Sequence, residues 1–473
     1  MSFSNIKESS MKFALFLGNR GFFPERLIVS AKQQVIEQLT KLGIDTLCLP
    51  EGLTHYGAVE GYAEGLVFNQ FLEKHKGEFD GVVLCLPNFG DETGAAEALR
   101  DCGVPIYILA FPDELDKMDF NSRRDAFCGK LSVMDVFHQF RIPYTAWAPH
   151  TLSPLSPVFL EHMRQFAAVC RIVKGMKRIR IGAIGARPTA FKTIRFDEAT
   201  LQKYGVTTET FDNSDLLVKM DKIDANSPDI LAKIDFFNNY SNFSEVPKDA
   251  MISLAKASVA IDQFIKEYSL DAIGLRCWND LQLTAKISPC VLLSELNDRG
   301  IPAGCELDVC NAVAMLALHL ASQDPATCLD WNNNYEDDPN KCMLFHCGSI
   351  PQKLMAGKGL VVDHAMFKKA LGAGFSFGCN TGFIREMNFS FASMMTENGK
   401  LLYYSGEGDF TGEPLGEGFF GCGGVAHIDD LQRKINRIGY AGYRHHVSVT
   451  SGHWDFAINE AFQRYLGYEK TEI

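Results

Sequence analysis

The sequence has no C-x-x-C pair, no long apolar run and no surplus of positive charge, and each shortage removes a class of function. Its 14 cysteines are scattered over 473 residues, unlike the dense framework of a small secreted domain, so reduced core thiols in a cytoplasmic enzyme are expected. Apolar runs such as Val82–Pro87 and Ile106–Phe111 fall far short of the ~20 residues a spanning helix needs. With a formal net charge of −12 and a pI of 5.5, there is no overall positive field to hold nucleic acid or an anionic membrane. The apolar stretch from Lys12 to Gly18 runs straight into Asn19-Arg20 without a small-residue cleavage pattern, and reads as a first strand instead of a signal peptide. There is no H-E-x-x-H, no low-complexity segment and no repeat of a solenoid. PNFGDETGAAEAL lacks both G-x-G-x-x-G and the P-loop Lys-Ser/Thr, while GEGFFGCGG falls in a β-rich region where glycine serves turns or close approach.

What is present is ordinary globular composition, 46% hydrophobic and 22% charged, on a chain long enough for two or three domains. From Lys12, short apolar runs alternate with amphipathic stretches (KFALFLG, ERLIVSAKQQVIEQLTKLG, IDTLCLP, FDGVVLCLPNFG, VPIYILAF), which predicts parallel strands with crossover helices. Gly43, Gly77 and Gly103 sit where those helices should stop. After the proline-bearing connector Pro149–Pro157, the strand RIRIGAIG opens a second alternating unit, with helices over 198–204 and 248–268 and the strand LDAIGLRCW. Beyond about Asn340, glycine-punctuated runs predict strands with tight turns, and a last helix spans 455–466. The expected fold class is α/β: two Rossmann-like parallel-sheet domains, then an antiparallel barrel-like domain. The expected boundaries are 1–170, 171–339 and 340–473.

Glu306, in AGCELDVCNAVAMLALHL, is a carboxylate at the mouth of an apolar helix. It reads either as a functional acid or, like Asp308, as negative charge at a helix N-terminus. Asp330, in PATCLDW, is a carboxylate at the edge of a buried strand or a turn residue before Asn332–Asn334. His445 and His446 are adjacent in GYRHHVSVTSGH, so on a strand they face opposite sides and at most one enters a given site.

Together with GNRGFFPERL, GARPTAFKTIRFDEATL, LRCWNDLQ, PCVLLSELNDRGIPAGCELD and MLFHCGSIP, these residues resemble the L-fucose isomerase and L-arabinose isomerase group. The resemblance implies an aldose–ketose isomerase acting through a cis-enediol. Glu306 and an acid 24 positions later, Asp330, would serve both as metal ligands and as the acid/base pair, joined by His446, with His445 in reserve. Mixed oxygen and nitrogen ligands favour Mn²⁺, with Mg²⁺ or Co²⁺ as alternatives. His346 is implied as a further ligand or substrate contact, or it is a structural strand histidine. Arg20 would reach a neighbouring subunit's sugar, since the group builds its sites at subunit interfaces, or it is a surface arginine; a homo-oligomer, a hexamer first, follows. Arg187, Lys192 and Arg195, with Arg276 and Trp278, would meet substrate or pair with Asp197 and Glu198. The substrate is a hexose, deoxyhexose, pentose or anionic sugar such as sulfoquinovose. The rival reading is a non-catalytic sugar-binding or regulatory protein.

Overall fold

The computed structural model describes residues 10–473. The chain forms two compact units, one of residues up to 174 with 460–467, the other of 175–459 with 468–473.

In the first unit, strands β1 (Lys12–Leu17), β2 (Asp45–Cys48), β3 (Gly81–Leu86) and β4 (Ile106–Ala110) form a parallel sheet in the order β2-β1-β3-β4. Every residue of β3, GVVLCL, is buried. Helices cover both faces of such a sheet, so its central strands read as continuous apolar runs. The helix Arg26–Lys41 turns Leu27, Ile28, Ala31, Val35 and Leu39 inward, the 3.6-residue spacing of a one-sided helix. It is followed by Gly43 at φ 68°, the left-handed stop for which glycine carries no Cβ penalty.

The second unit opens with another parallel sheet. Strands β5 (Ile179–Ile184), β6 (Val206–Phe211), β7 (Ala272–Leu275) and β8 (Ala303–Cys305) lie in the order β6-β5-β7-β8. The long helix Lys248–Tyr268 packs on it through Leu254, Ala255, Ile261 and Phe264. β7 is shorter than its apolar text suggests: Arg276, Cys277 and Trp278 leave the ladder and form the loop beyond its carboxyl end.

Nine more strands follow: β9 (Ala326–Tyr335), β10 (Asp338–His346), β11 (Leu360–Asp363), β12 (Phe377–Phe383), β13 (Met387–Glu397), β14 (Lys400–Phe410), β15 (Cys422–His427), β16 (His446–Ser451) and β17 (Glu469–Lys470). The order β15-β10-β9-β16-β13-β14 closes on itself through a β14–β15 pairing, giving a six-stranded antiparallel barrel. Closure removes the free edges that an open sheet would expose. Leu329, Leu344, Phe389, Phe391, Phe410, Val447 and Val449 belong to its core. Two parallel sheets and an antiparallel barrel are the architecture the sequence predicts. The last helix departs in detail: Asp455–Glu460 is α-helical and Ala461–Leu466 widens into π geometry.

Candidate metal and active site

The site gathers where β7 and β8 end, against one face of the barrel. Ligands of open parallel sheets bind outside the carboxyl ends of the strands. Glu306 follows β8 directly, and it and Leu307 hold left-handed backbones, φ 58° and 69°. For residues with a Cβ such backbones cost about 1–3 kcal/mol each, and persist because the surroundings fix them. Here Leu307 is buried, its N–H bonds Leu275 O at 3.1 Å, and the Asp308 N–H bonds Cys305 O at 3.0 Å. The turn leads into the helix Val309–Ser322, whose N-cap is Asp308.

Both Glu306 oxygens are held. Trp278 Nε1–H donates to Oε1 at 3.0 Å, and His446 Nε2 lies 3.0 Å from Oε2. His446 opens β16 opposite Asp330 on β9, and such directly paired residues present side chains on one face. Asp330 Oδ1 is 3.5 Å from His446 Nε2 and 3.7 Å from His445 Nε2. This oxygen is buried and has no hydrogen-bond partner. The β9 ladder continues through Asn332–Asn334 to Tyr335, so Asp330 is a strand residue and not a turn residue. The two histidines do not part to opposite sides as alternation along a strand predicts: β16 begins only at His446, and both rings, 4.6 Å apart, approach Asp330, the His446 side chain fully buried and that of His445 42% exposed.

Behind His446 lies a buried polar network. Its Nδ1 meets Asp308 Oδ2 at 2.9 Å; Arg444 Nη1 donates to Asp308 Oδ1 at 2.8 Å and to Met394 O at 2.9 Å. Asn311 donates to Asp308 through its backbone and side-chain N–H groups at 3.0 and 2.7 Å. Against the opposing effect of full burial, Arg444 and the His446 hydrogen bond hold Asp308 well below the usual carboxylate range. Burial likewise opposes charge on His446, but Cys328, Asp308 and Glu306 raise it well above the ordinary histidine range. Glu306 is lowered: burial raises it, and His446 more than offsets this. His445 is lowered, by burial and by the neighbouring charge of His446.

His346, at the end of β10, is buried, its ring 5.8 Å from that of His446. Its Nδ1 accepts the Cys347 N–H at 2.9 Å, and its Nε2 has no hydrogen-bond partner. Ligand-capable atoms of Glu306, His346 and His446, and of Asp330, His445 and His446, lie within 4.8 Å of one another in each group. The unpartnered Asp330 oxygen and the mixed carboxylate–imidazole donors fit a divalent cation.

The other expected residues lie as follows. Arg276 Nε donates to Trp278 O at 2.9 Å and is 3.5 Å from Asp280. Arg187 donates to the carbonyls of Pro188 and Thr189, while Asp197 is taken up by the Ala199 N–H and by Thr200. Lys192 and Arg195 are exposed. Arg20, in the first unit, bonds Gly90 O and Glu92 and covers the Phe89 ring.

Sequence reasoning missed three contributors. In the sequence Asp308 reads only as a helix charge, although an acid buried under an apolar helix demands a partner. That partner, Arg444, stands just before the histidine pair. Phe191 packs its ring on Trp278, His445 and His446 at centroid separations of 5.6, 5.4 and 5.9 Å, and nothing in its local text marks it. The string Gly374–Gly378 matches G-x-S-x-G, but it is no nucleophile elbow: Ser376 is buried, donates to Asp363 Oδ1 at 2.7 Å, and leads into a strand instead of a helix.

Comparison with known proteins bears on this geometry. Residues 14–177 match the model of the fucose/sulfoquinovose isomerase N-terminal domain, and residues 344–473 that of the L-fucose isomerase C-terminal domain. A sulfoquinovose isomerase of Priestia aryabhattai is 21% identical over 389 residues, 81% of this chain and 83% of that protein. One from Alkalicoccus urumqiensis is 22% identical over 340 residues, 71% and 74% of the two chains. One from Clostridium sp. (strain MSTE9) is 24% identical over 237 residues, 48% and 51%. Among the described residues no helix is long and apolar enough to cross a membrane.

Proposed function

Because the chain belongs to the fucose isomerase-like family of aldose–ketose isomerases, we propose that Glu306, Asp330 and His446 hold a divalent metal and carry out the isomerisation. The observation that carries this reading is the convergence of two carboxylates on one imidazole nitrogen: His446 Nε2 is 3.0 Å from Glu306 and 3.5 Å from the unpartnered oxygen of Asp330. Bound there, Mn²⁺, or Mg²⁺ or Co²⁺ in its place, supplies Lewis-acid stabilisation of the negative charge that develops on the sugar oxygens O1 and O2.

The protein groups move the protons. One carboxylate of the Glu306–Asp330 pair takes the C2 proton as base and returns it to C1, while the other passes the hydroxyl proton from O2 to O1. The intermediate is the cis-enediol. Coupled carboxylates titrate as a pair, so the two roles belong to the pair. Trp278 and His446 fix the Glu306 oxygens, and the Phe191 ring covers the imidazoles. The substrate is a hexose, deoxyhexose, pentose or anionic sugar; sulfoquinovose, for which the relatives are named, is first among the anionic ones, and Arg187, Lys192 and Arg195 on the Phe191 loop supply cations for it.

We also infer a closed homo-oligomer, a hexamer first, in which Arg20 serves a neighbour's site. An active monomer in sedimentation would contradict this. For the reaction itself, a screen of aldoses for ketose formation should give turnover that EDTA abolishes and Mn²⁺ restores. Full turnover after chelation would refute the metal mechanism; sugar binding without turnover would favour the binding-protein reading.

A further inference from the structure

Beside Glu306 lies a cavity of about 350 Å³ whose walls include Trp278, Gln282, Ser288, Cys290, Cys347 and His364. Among the described residues Glu306 is the only carboxylate lining it, and no lysine or arginine does. Two of the buried residues that line it carry polar atoms without hydrogen-bond partners. Gln282 is 0% exposed; its Nε2 donates to Cys277 O at 2.7 Å and to Ser288 Oγ at 3.1 Å, which leaves Oε1 unpartnered. His364 is 2% exposed with Nδ1 unpartnered, and its backbone N–H is tied to Ser376 O at 3.1 Å. Burial lowers the His364 pKa to about 4, so its ring is neutral and Nδ1 is able to accept or to donate a hydrogen bond according to the tautomer.

Orphaned buried polar atoms are expensive, costing roughly 1–3 kcal/mol each. Two of them beside a carboxylate, on walls that carry no lysine or arginine, suit an uncharged chain bearing hydroxyls. We propose that His364 and Gln282 are specificity-determining residues that hydrogen-bond the sugar hydroxyls next to the reacting carbons, on C3 and C4. This rests on the isomerase reading, because Glu306 marks the C1–C2 end of the sugar. Any anionic substituent then lies outside the cavity.

The test uses the full-length, Mn²⁺-loaded protein with two measurements: KM and kcat for the aldose found in the screen and for its 3-deoxy and 4-deoxy counterparts, and calorimetric binding of galactitol, mannitol and glucitol. His364→Phe keeps an aromatic ring and removes the nitrogen; His364→Asn places an amide atom near Nδ1. The His364→Phe variant should raise KM and weaken hexitol binding about tenfold, with kcat changed less than about threefold, and the His364→Asn variant should recover most of the loss. One deoxy sugar should be insensitive to His364→Phe, the non-additivity of a lost partner. Gln282→Met should do the same with the other sugar, the His364 variants carrying the test if it folds poorly. Unchanged KM and hexitol binding in His364→Phe, or equal losses for every sugar, would overturn the cavity assignment while turnover upholds the isomerase. Hexitol binding that falls in the variants, in a protein that turns over no aldose, would do the reverse.

Discussion

Asp308→Asn separates the machinery that holds His446 from the ligands themselves. The native carboxylate is wholly buried, and its two oxygens accept from four donors: Arg444, His446 and the two N–H groups of Asn311. An amide of the same size keeps one acceptor oxygen and puts an NH₂ where the other was. Donor then faces donor at Arg444 or at His446. Uncompensating a buried charge of this kind costs about 3–5 kcal/mol, a large share of the ~5–15 kcal/mol that holds a domain folded. If His446 escapes by moving its proton to Nε2, the lone pair that should meet the metal is lost. Supporting residues of this sort are worth about 10–100-fold in metal affinity. Equilibrium urea unfolding reads the first effect and calorimetric Mn²⁺ titration the second. The double substitution Asp308→Leu with Arg444→Met removes both buried charges, and should regain much of the stability but none of the metal affinity, because His446 still lacks its acceptor. Mn²⁺ affinity within twofold of wild type in Asp308→Asn would refute the positioning role.

Glu306→Gln removes a ligand charge and half of the acid/base pair, so the loss should fall mainly on kcat; an unchanged kcat would reduce Glu306 to a helix-end charge. His446→Ala should lower metal content and activity together while His445→Ala keeps its metal; the opposite pattern by elemental analysis would exchange their roles. Metal affinity should fall about tenfold per pH unit on acidification below the raised pKa of His446, because the imidazole must shed its proton to bind; Mn²⁺ titrations across pH check the slope. In metal-free protein the signs are opposed. His446 adds stability present in full below about pH 6.5 and lost as pH rises through its raised value, whereas Asp308 adds stability present above about pH 3.9 and lost as pH falls through its lowered value, so urea midpoints should decline at both ends.

The sequence by itself determined the layers. Continuous apolar runs such as GVVLCL, helices with one apolar stripe and glycines at their ends leave few alternatives to parallel sheets, and closely spaced glycine-punctuated strands lead to a barrel. It did not determine how His445 and His446 are placed: alternation predicts that they part, but β16 begins at His446, and His445, outside the ladder, also reaches Asp330. What only the tertiary structure decided is the company each residue keeps. Asp330 faces His446 through a strand pairing that spans more than a hundred residues of chain, and Asp308 meets Arg444 across a similar gap. Phe191 reaches the imidazoles from a loop with no periodicity to read. Local pattern fixes a residue's phi, psi and face, but register, loop path and the neutralisation of buried charge are settled by long-range packing, and the site is made of those.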